Sequence, residues 1–522
     1  MGLSIISLYR KYVKPSWKIA FLAAVILGFG VHMYKFTNTL PGNDSLYNFY
    51  HSQNIIGAGR WFLTIACGLS SFHDLPWIIG LFSVVYLALT TVVVADHFRI
   101  GNPVLLVLCA GMITVFPSVT DTLYFEFTAD GYFLAMLLAV LAARLTRMDS
   151  ITPGRMAAAA VLICVSCGIY QAYVSVALVL AICGFLMELL ENRTDAKTCW
   201  KWVGCQAVLY GAAMAGYYVI WQVLLKLENV QIADYSGISQ LGGFGLQVLL
   251  GGIGRMLQTL FLFILEWNVL KHGFTLSGAL NLVLLLVLAA GLVRAVVQNG
   301  LYRSRQHILL LVLALAALPV SICIWNFASE YAAYFPRMLS SVSILFVFAL
   351  VLAEHWWKPK WRDLAAVAAA VMILNNALQA NITYFYMDRS YERSYAAALE
   401  MTMRIRPLAE ESGAERIAIA GNIRAEANMA TGDRVGCFPL LSRTVMGDLF
   451  YDHVHIGMFV EELIDPELEF VDQLEAEEIA KSDEVAQMGI WPAGDSIAVV
   501  GDTVVVKLAD YDPSIIPSYI PR

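Results

Sequence analysis

The residues best suited to chemistry in this sequence lie just after its first apolar stretch, in the segment PGNDSLYNFYHSQNIIGAGRW at 41–61. This segment places Asp44, His51 and Arg60 among aromatic and amide side chains. A carboxylate can accept a proton as a general base, and a guanidinium can bind an anion through paired hydrogen bonds. The residue types therefore indicate a site of chemistry in a polar loop between hydrocarbon segments.

The composition shows what kind of scaffold must position this loop. Of the 522 residues, 59% are hydrophobic and only 14% are charged, and the mean hydropathy is +0.66. A soluble domain carries about a quarter charged residues. Apolar runs of about twenty residues recur along the chain, and each is long enough to cross a bilayer as a helix. The sequence predicts an α-helical polytopic membrane protein.

Hydropathy predicts eleven transmembrane helices, with basic residues gathered in the loops on one side. The first run begins among four basic residues, Arg10, Lys11, Lys14 and Lys18. It lacks a small-residue cleavage site, so we interpret it as an uncleaved helix with a cytoplasmic N-terminus. Alternate loops then hold most of the basic residues, as the positive-inside rule requires. The predicted spans are 17–35, 76–95, 103–117, 131–147, 155–170, 172–190, 202–225, 276–297, 307–327, 337–354 and 362–380.

The stretch 244–272 is also apolar but does not fit this alternation. A crossing there would place the Arg-rich loop 294–305 outside. We therefore predict a re-entrant or interfacial helix on the outer face.

The charge changes sign along the chain. Residues 1–380 contain 16 acidic and 23 basic residues, whereas residues 381–522 contain 25 acidic and 11 basic residues. Eight of the nine cysteines lie in or beside apolar segments, so the tail, with Cys437 alone, has no disulfide framework. Alternating GDSIAVVGDTVVVKLAD predicts a hairpin, and ERIAIAG predicts a strand. The sequence predicts a transmembrane body at 1–380 and a small external α/β domain at 381–522.

With this topology, loops from separate parts of the chain bring acids and cations to the outer face. The first loop supplies the segment quoted above, followed by His73 and Asp74. The remaining charged residues come from three further loops: Asp121, Glu126, Asp130, Asp234, Arg255, Glu266, Lys271, His272, Glu330 and Arg337.

Four motifs are similar to those of a known enzyme family: NDSLYN in the first loop, the GRW that follows it, FPSVTDTLYFEFTADGYFLAMLLAVLAARL, and NNALQANITYFYMDRSYERSYAAAL before the tail. The chain resembles the GT-C glycosyltransferases, and more narrowly the bacterial O-antigen-modifying glucosyltransferases of the Gtr type. The resemblance covers essentially the whole chain. Many relatives have two adjacent acids where this chain has Asn43 and Asp44.

The resemblance implies a membrane glycosyltransferase that moves a sugar, glucose in this family, from a polyprenyl-phosphate carrier to a surface glycan. The site would lie on the outer face of a bacterial plasma membrane, and a donor synthase and a flippase would work with it. No nucleic acid partner is implied. The expected roles are the general base for Asp44; donor phosphate binding for Arg60, Arg337 and Arg255; a second carboxylate or a ligand of Mg²⁺ or Mn²⁺ for Glu126 and Asp130; and sugar stacking for Tyr47, Trp61 and Tyr124.

Other interpretations stay open. Asp44 can instead cap a helix, since Asp and Asn are favoured there. Arg60 and Arg337 can instead contact lipid headgroups, and Glu126 and Asp130 can be solvated acids. The alternative function is a transporter or flippase of lipid-linked saccharides. Such proteins usually hold ionisable residues at the membrane centre and show repeats, and neither is evident here.

Overall fold

The computed structural model describes residues 13–233, 246–264, 275–329, 334–421, 449 and 453–512. The chain forms two compact units. One comprises Met1–Asn38 and His51–Asn381, and the other comprises Thr39–Tyr50 and Ile382–Arg522. The segment that carries Asp44 therefore belongs to the same unit as the C-terminal residues.

The first unit is built from helices. In chain order they are α1 (Pro15–Thr37), α2 (Leu63–Cys67), α3 (Pro76–His97), α4 (Pro103–Thr114), α5 (Pro117–Tyr124), α6 (Glu126–Leu145), α7 (Pro153–Ile169), α8 (Val174–Leu190), α9 (Ala196–Leu227), α10 (Leu246–Ile264), α11 (Leu276–Gln298), α12 (Arg305–Ile322), α13 (Ser341–Trp356) and α14 (Pro359–Ser412), the last of which continues into the second unit. Short 3₁₀ turns join them at Ile56–Ala58, Gln171–Tyr173, Leu301–Arg303, Ile324–Phe327 and Pro336–Leu339.

Within the described residues, ten helical segments are long and apolar enough to cross a membrane. Together with α7, which is apolar but has only 17 residues, they correspond to the eleven predicted spans. The protein is a polytopic helical membrane protein. The stretch 244–272 contributes α10, of which 248–263 is a shorter apolar segment, and residues 265–272 lie outside the described part.

The helices begin where the local sequence favours a helix start. Proline is the first residue of α1, α3, α4, α5 and α7, a position that needs no backbone donor and suits the fixed φ of proline. Side-chain caps add to this effect. The Asn102 side chain accepts a hydrogen bond from the backbone nitrogen of Val104 at 2.9 Å, and the Thr275 hydroxyl accepts one from that of Gly278 at 3.0 Å.

Helices α6, α8 and α13 form the centre of the first unit. Helix α6 contacts α3, α7 and α8, and α13 contacts α8 and α11. In the apolar stretch that includes α13, 89% of the residues are buried inside the protein. In the apolar stretch of α9, only 28% are buried. The central helices therefore pack against protein on most sides, while α9 leaves most of its apolar surface exposed.

The second unit is a small α/β domain. Its sheet contains β1 (Arg416–Ala420), β2 (Glu469–Phe470), β3 (Ile497–Val500) and β4 (Thr503–Lys507), and its helices are α15 (His453–Leu463), α16 (Gln473–Ala480) and α17 (Asp483–Gln487). The strand order is β2-β1-β4-β3. Strand β1 pairs in parallel with β2 and β4, and β3 pairs antiparallel with β4. The predicted strand and hairpin are both present, and Gly501 supplies the turn between β3 and β4 with a φ of +63°.

Candidate functional site

Asp44 lies on a 3₁₀ turn, Asn43–Tyr47, in the second unit. Its side chain is exposed. The side-chain amide of Asn48 donates a hydrogen bond to the Asp44 carbonyl at 2.7 Å. The Tyr47 ring, predicted to stack on sugar, meets the His455 ring edge to face, with centroids 5.0 Å apart.

Arg60 lies in the first unit, against two stacked tyrosines. Its Nη1 donates a hydrogen bond to the Tyr132 hydroxyl at 2.8 Å. The rings of Tyr132 and Tyr170 are 4.2 Å apart and nearly parallel, at 7°. The guanidinium carbon lies 5.2 Å from the centroid of the Tyr170 ring, a cation–π distance. Arg60 is half-buried, so a cation is held in a defined place and remains partly accessible.

Side chains from α9 and from the turn 171–173 hold the backbone that precedes Arg60. The Gln171 amide donates to the Ala58 carbonyl at 2.7 Å, and the Tyr217 hydroxyl donates to the Gly59 carbonyl at 3.1 Å. Trp221 Nε1 donates to the Ile56 carbonyl at 2.7 Å. Gly59 has a φ of +76°, a conformation that glycine adopts without strain. The position of Arg60 is therefore fixed by helices far from it in sequence.

Trp61 and Tyr124, both predicted to stack on sugar, pack against protein. A Cβ at Gly168 would lie 2.6 Å from Trp61 Cε2, so the indole lies directly on the backbone of α7. Tyr124 is only 4% exposed, and its ring meets Phe125 edge to face at 5.0 Å.

Arg337 forms a second buried cationic position in the first unit. Its backbone nitrogen donates to Asp121 Oδ2 at 2.7 Å, and its Nη1 lies 3.6 Å from Asp121 Oδ1. The guanidinium also lies 4.2 Å from the Phe125 ring centroid. The turn Pro336–Leu339 contacts the turn Gln171–Tyr173, which immediately follows Tyr170. Arg337 therefore lies in the neighbourhood of the aromatic pair that holds Arg60.

Arg255 is held by backbone carbonyls. Its Nη2 donates to the Asn326 carbonyl at 2.7 Å and to the Val248 carbonyl at 3.3 Å. The bond to Asn326 joins α10 to the turn Ile324–Phe327, and the bond to Val248 lies within α10.

Glu126 and Asp130 are both buried. Glu126 is 2% exposed and Asp130 is 0% exposed. Glu126 Oε2 lies 2.5 Å from Lys35 Nζ, and Asp130 accepts a hydrogen bond from the backbone nitrogen of Gly131 at 2.8 Å. In the described residues, no three His, Cys, Asp or Glu side chains are grouped so that they could hold a metal ion.

Asp74 lies near the Lys35–Glu126 pair, in the loop before α3. Burial raises the pKa of Asp74 to about 6, and the positive charge of Lys35 opposes part of that rise. A carboxyl with this pKa changes its charge close to neutral pH.

Sequence reasoning missed Lys35, Tyr132 and Tyr170. Lys35 carried a usable signal, because a charge in the last turn of an apolar helix calls for a partner. The two tyrosines carried none, since an aromatic residue in an apolar run is equally expected in a core.

The sequence model of one protein family, described as Glucosyl transferase GtrII, matches residues 33–354, which is more than half of the chain. The chain belongs to the GtrII glucosyl transferase family. It is a glycosyltransferase, as the motifs predicted. No curated protein and no solved structure is significantly similar to the chain.

The GtrII match covers the predicted site residues but only a small part of the second unit. It includes every residue to which the sequence assigned a role, from Asp44 to Arg337, as well as Lys35. It ends at residue 354, so the part of the second unit from Ile382 onward lies beyond the matched region.

Proposed function

We propose that this GtrII glycosyltransferase moves glucose from a polyprenyl-phosphate carrier to a cell-surface glycan, on the outer face of the bacterial plasma membrane. Family membership supports glucosyl transfer, and the many apolar helices suit a donor with a lipid tail. The observation that carries the proposal is the Arg60 guanidinium, held against Tyr132 and Tyr170 and still partly accessible. A guanidinium that is oriented and still partly accessible suits the binding of a donor phosphate.

The proposed reaction is a single displacement at the sugar. The acceptor hydroxyl forms a bond to the anomeric carbon, and the bond from that carbon to the phosphate oxygen breaks. Asp44 takes the hydroxyl proton, because a hydroxyl has a pKa far above 7 and needs a base as the bond forms. The electron pair of the broken bond leaves on the polyprenyl phosphate. The exposed Asp44 carboxylate is accessible to an aqueous acceptor.

The growing negative charge on the departing phosphate needs a positive partner. A guanidinium offers several donors in a planar fork that matches phosphate oxygens. We assign this role first to Arg60, because its hydrogen bond and ring contacts fix its orientation before substrate binds. Such preorganised charge lowers the barrier without reorganisation during the reaction. Arg337, 9% exposed and bound to Asp121, supports the same region from within.

The other predicted residues take supporting roles in this proposal. Glu126 and Asp130 are buried, so they shape the site rather than contact substrate. Arg255 joins α10 to its neighbour, and Trp61 orients Arg60 by packing on α7. A synthase that loads glucose onto the polyprenyl phosphate and a flippase that carries it outward would supply the donor.

The test is glucosyl transfer by purified protein in nanodiscs that contain polyprenyl-phosphate glucose. The measured quantity is the release of free polyprenyl phosphate. Asp44→Asn should lower turnover by roughly 10² to 10⁴. The matched control is Asp502→Asn, an exposed acid of the same unit, which should leave turnover unchanged. Because Asn caps a helix as well as Asp does, near-normal transfer by Asp44→Asn would reject the base assignment. Failure of the wild-type protein to release carrier phosphate would reject the donor.

A further inference from the structure

The turn that carries Asp44 is built into the core of the second unit. Leu46, two residues along, is 2% exposed and belongs to the same buried cluster as Ile417 of β1 and Ile456 and Phe459 of α15. Phe49 packs against this cluster from its edge. A segment that lies between α1 and α2 in sequence therefore supplies core residues to the C-terminal sheet and helix.

A second contact fixes the turn beside Leu46. The Tyr47 ring meets the His455 ring at 5.0 Å and 89°, the edge-to-face geometry that aromatic pairs favour. His455 is only 2% exposed. Because the His455 side chain is buried, its ring is held in place and the Tyr47 ring packs against it.

Hydrogen bonds make the turn itself rigid. The Ser45 hydroxyl accepts from the Gly42 backbone nitrogen at 3.1 Å, and the Asn48 nitrogen donates to the Ser45 carbonyl at 2.9 Å. Ser45 and Leu46 are buried while Asp44 is exposed. The turn thus faces inward through 45 and 46 and presents the carboxylate outward.

We propose that Leu46, Tyr47 and His455 are positioning residues for the Asp44 carboxylate, so that the core of the second unit holds the proposed base in place. This inference rests on the proposed base role of Asp44. A general base must come within about 2.6–3.2 Å of the proton it removes, and a displacement of about 1 Å can cost 10²-fold in rate. A turn of five residues has no core of its own, so its position depends on the surface it packs against.

The test compares paired substitutions in full-length protein. Leu46→Ala and His455→Ala should each lower kcat about 10- to 100-fold and leave KM for the lipid donor within about twofold, since Arg60 is untouched. His455→Phe keeps a ring against Tyr47 and should recover most of kcat. Val505→Ala is the matched control. It empties space in a different buried cluster of the same domain and should leave kcat near the wild-type value.

Hydrogen exchange keeps the result interpretable. Amides 45–48 should exchange faster in Leu46→Ala and His455→Ala while those of β4 stay protected. If Leu46→Ala unfolds the domain, Tyr47→Ala against Tyr47→Phe replaces it as the milder pair. Wild-type kcat in His455→Ala and Tyr47→Ala, with Asp44→Asn inactive, would overturn the positioning role. An active Asp44→Asn would instead reject the proposed base.

Discussion

The ammonium of Lys35 and the carboxylate of Glu126 lie 2.5 Å apart, with side chains only 1% and 3% exposed. The pair joins the last turn of α1 to the first turn of α6. It ties α1 to α6 and gives the buried Glu126 an oppositely charged partner within the fold.

Breaking this pair should be costly. Lys35→Met leaves the buried Glu126 without its cation, and Glu126→Gln leaves the buried Lys35 without its anion. Each substitution should lower the free energy of unfolding by about 3–5 kcal/mol. The double variant Lys35→Met/Glu126→Gln should lose less than the sum of the two. Thermal unfolding in detergent measures this. Strictly additive effects would show that the two groups are not coupled.

The raised pKa of Asp74 predicts a pH dependence of stability. With a pKa of about 6 in the folded protein against about 3.9 in an unfolded chain, the folded state binds the proton more tightly. The contribution of Asp74 to stability is therefore present below about pH 4 and lost as the pH rises through 6.

Asp74→Asn removes this titration. The melting temperature of the variant relative to wild type should rise between pH 4 and pH 6 and stay level above that. A difference that is constant over this range would contradict the raised pKa.

Substitutions at Arg60 should separate charge from geometry. Arg60→Ala should weaken donor binding by about 1.5–3 kcal/mol, the size of a charge-assisted hydrogen bond. Arg60→Lys keeps the charge but loses the planar fork, so it should retain only part of the donor affinity that Arg60→Ala loses. Tyr132→Phe removes one hydrogen bond to Arg60, which contributes about 0.5–1.5 kcal/mol. The KM for the donor should therefore rise several-fold. Tyr86→Phe, in α3, serves as the control. An unchanged donor KM in Arg60→Ala would remove Arg60 from the phosphate site.

Chelation tests whether positive charge comes from arginine or from a divalent metal. Because the proposal assigns the phosphate to the Arg60 guanidinium, we expect glucosyl transfer to continue in EDTA at the rate measured without it. A loss of transfer that added Mg²⁺ or Mn²⁺ restores would identify a metal as the partner of the phosphate.

Reporter fusions test the sidedness on which the outer-face proposal depends. Fusions after Met148 and Arg305 should report the cytoplasm, and a fusion after Leu399 should report the outside, as the distribution of basic loops predicts. A cytoplasmic signal at Leu399 would place the C-terminal domain and Asp44 on the opposite face from the proposed acceptor.

The sequence by itself determined the membrane class, the helices and the family. Each of these follows from local properties: apolar runs of sufficient length, prolines at helix starts, and motifs such as NDSLYN and GRW. The strand at 416–420 and the hairpin at 497–507 were likewise predicted from alternation, because the period of a strand is visible within a few residues.

Only the tertiary structure decided the partners of the functional residues. Lys35 and Glu126 are 91 positions apart, Arg60 and Tyr132 are 72 apart, and no local pattern links either pair. Sequence reasoning also assigned the Asp44 segment to the membrane body, whereas it packs in the unit formed by the C-terminal residues. The physical reason is that Leu46 is buried by residues some 400 positions away, and burial is a property of the folded neighbourhood rather than of the residue.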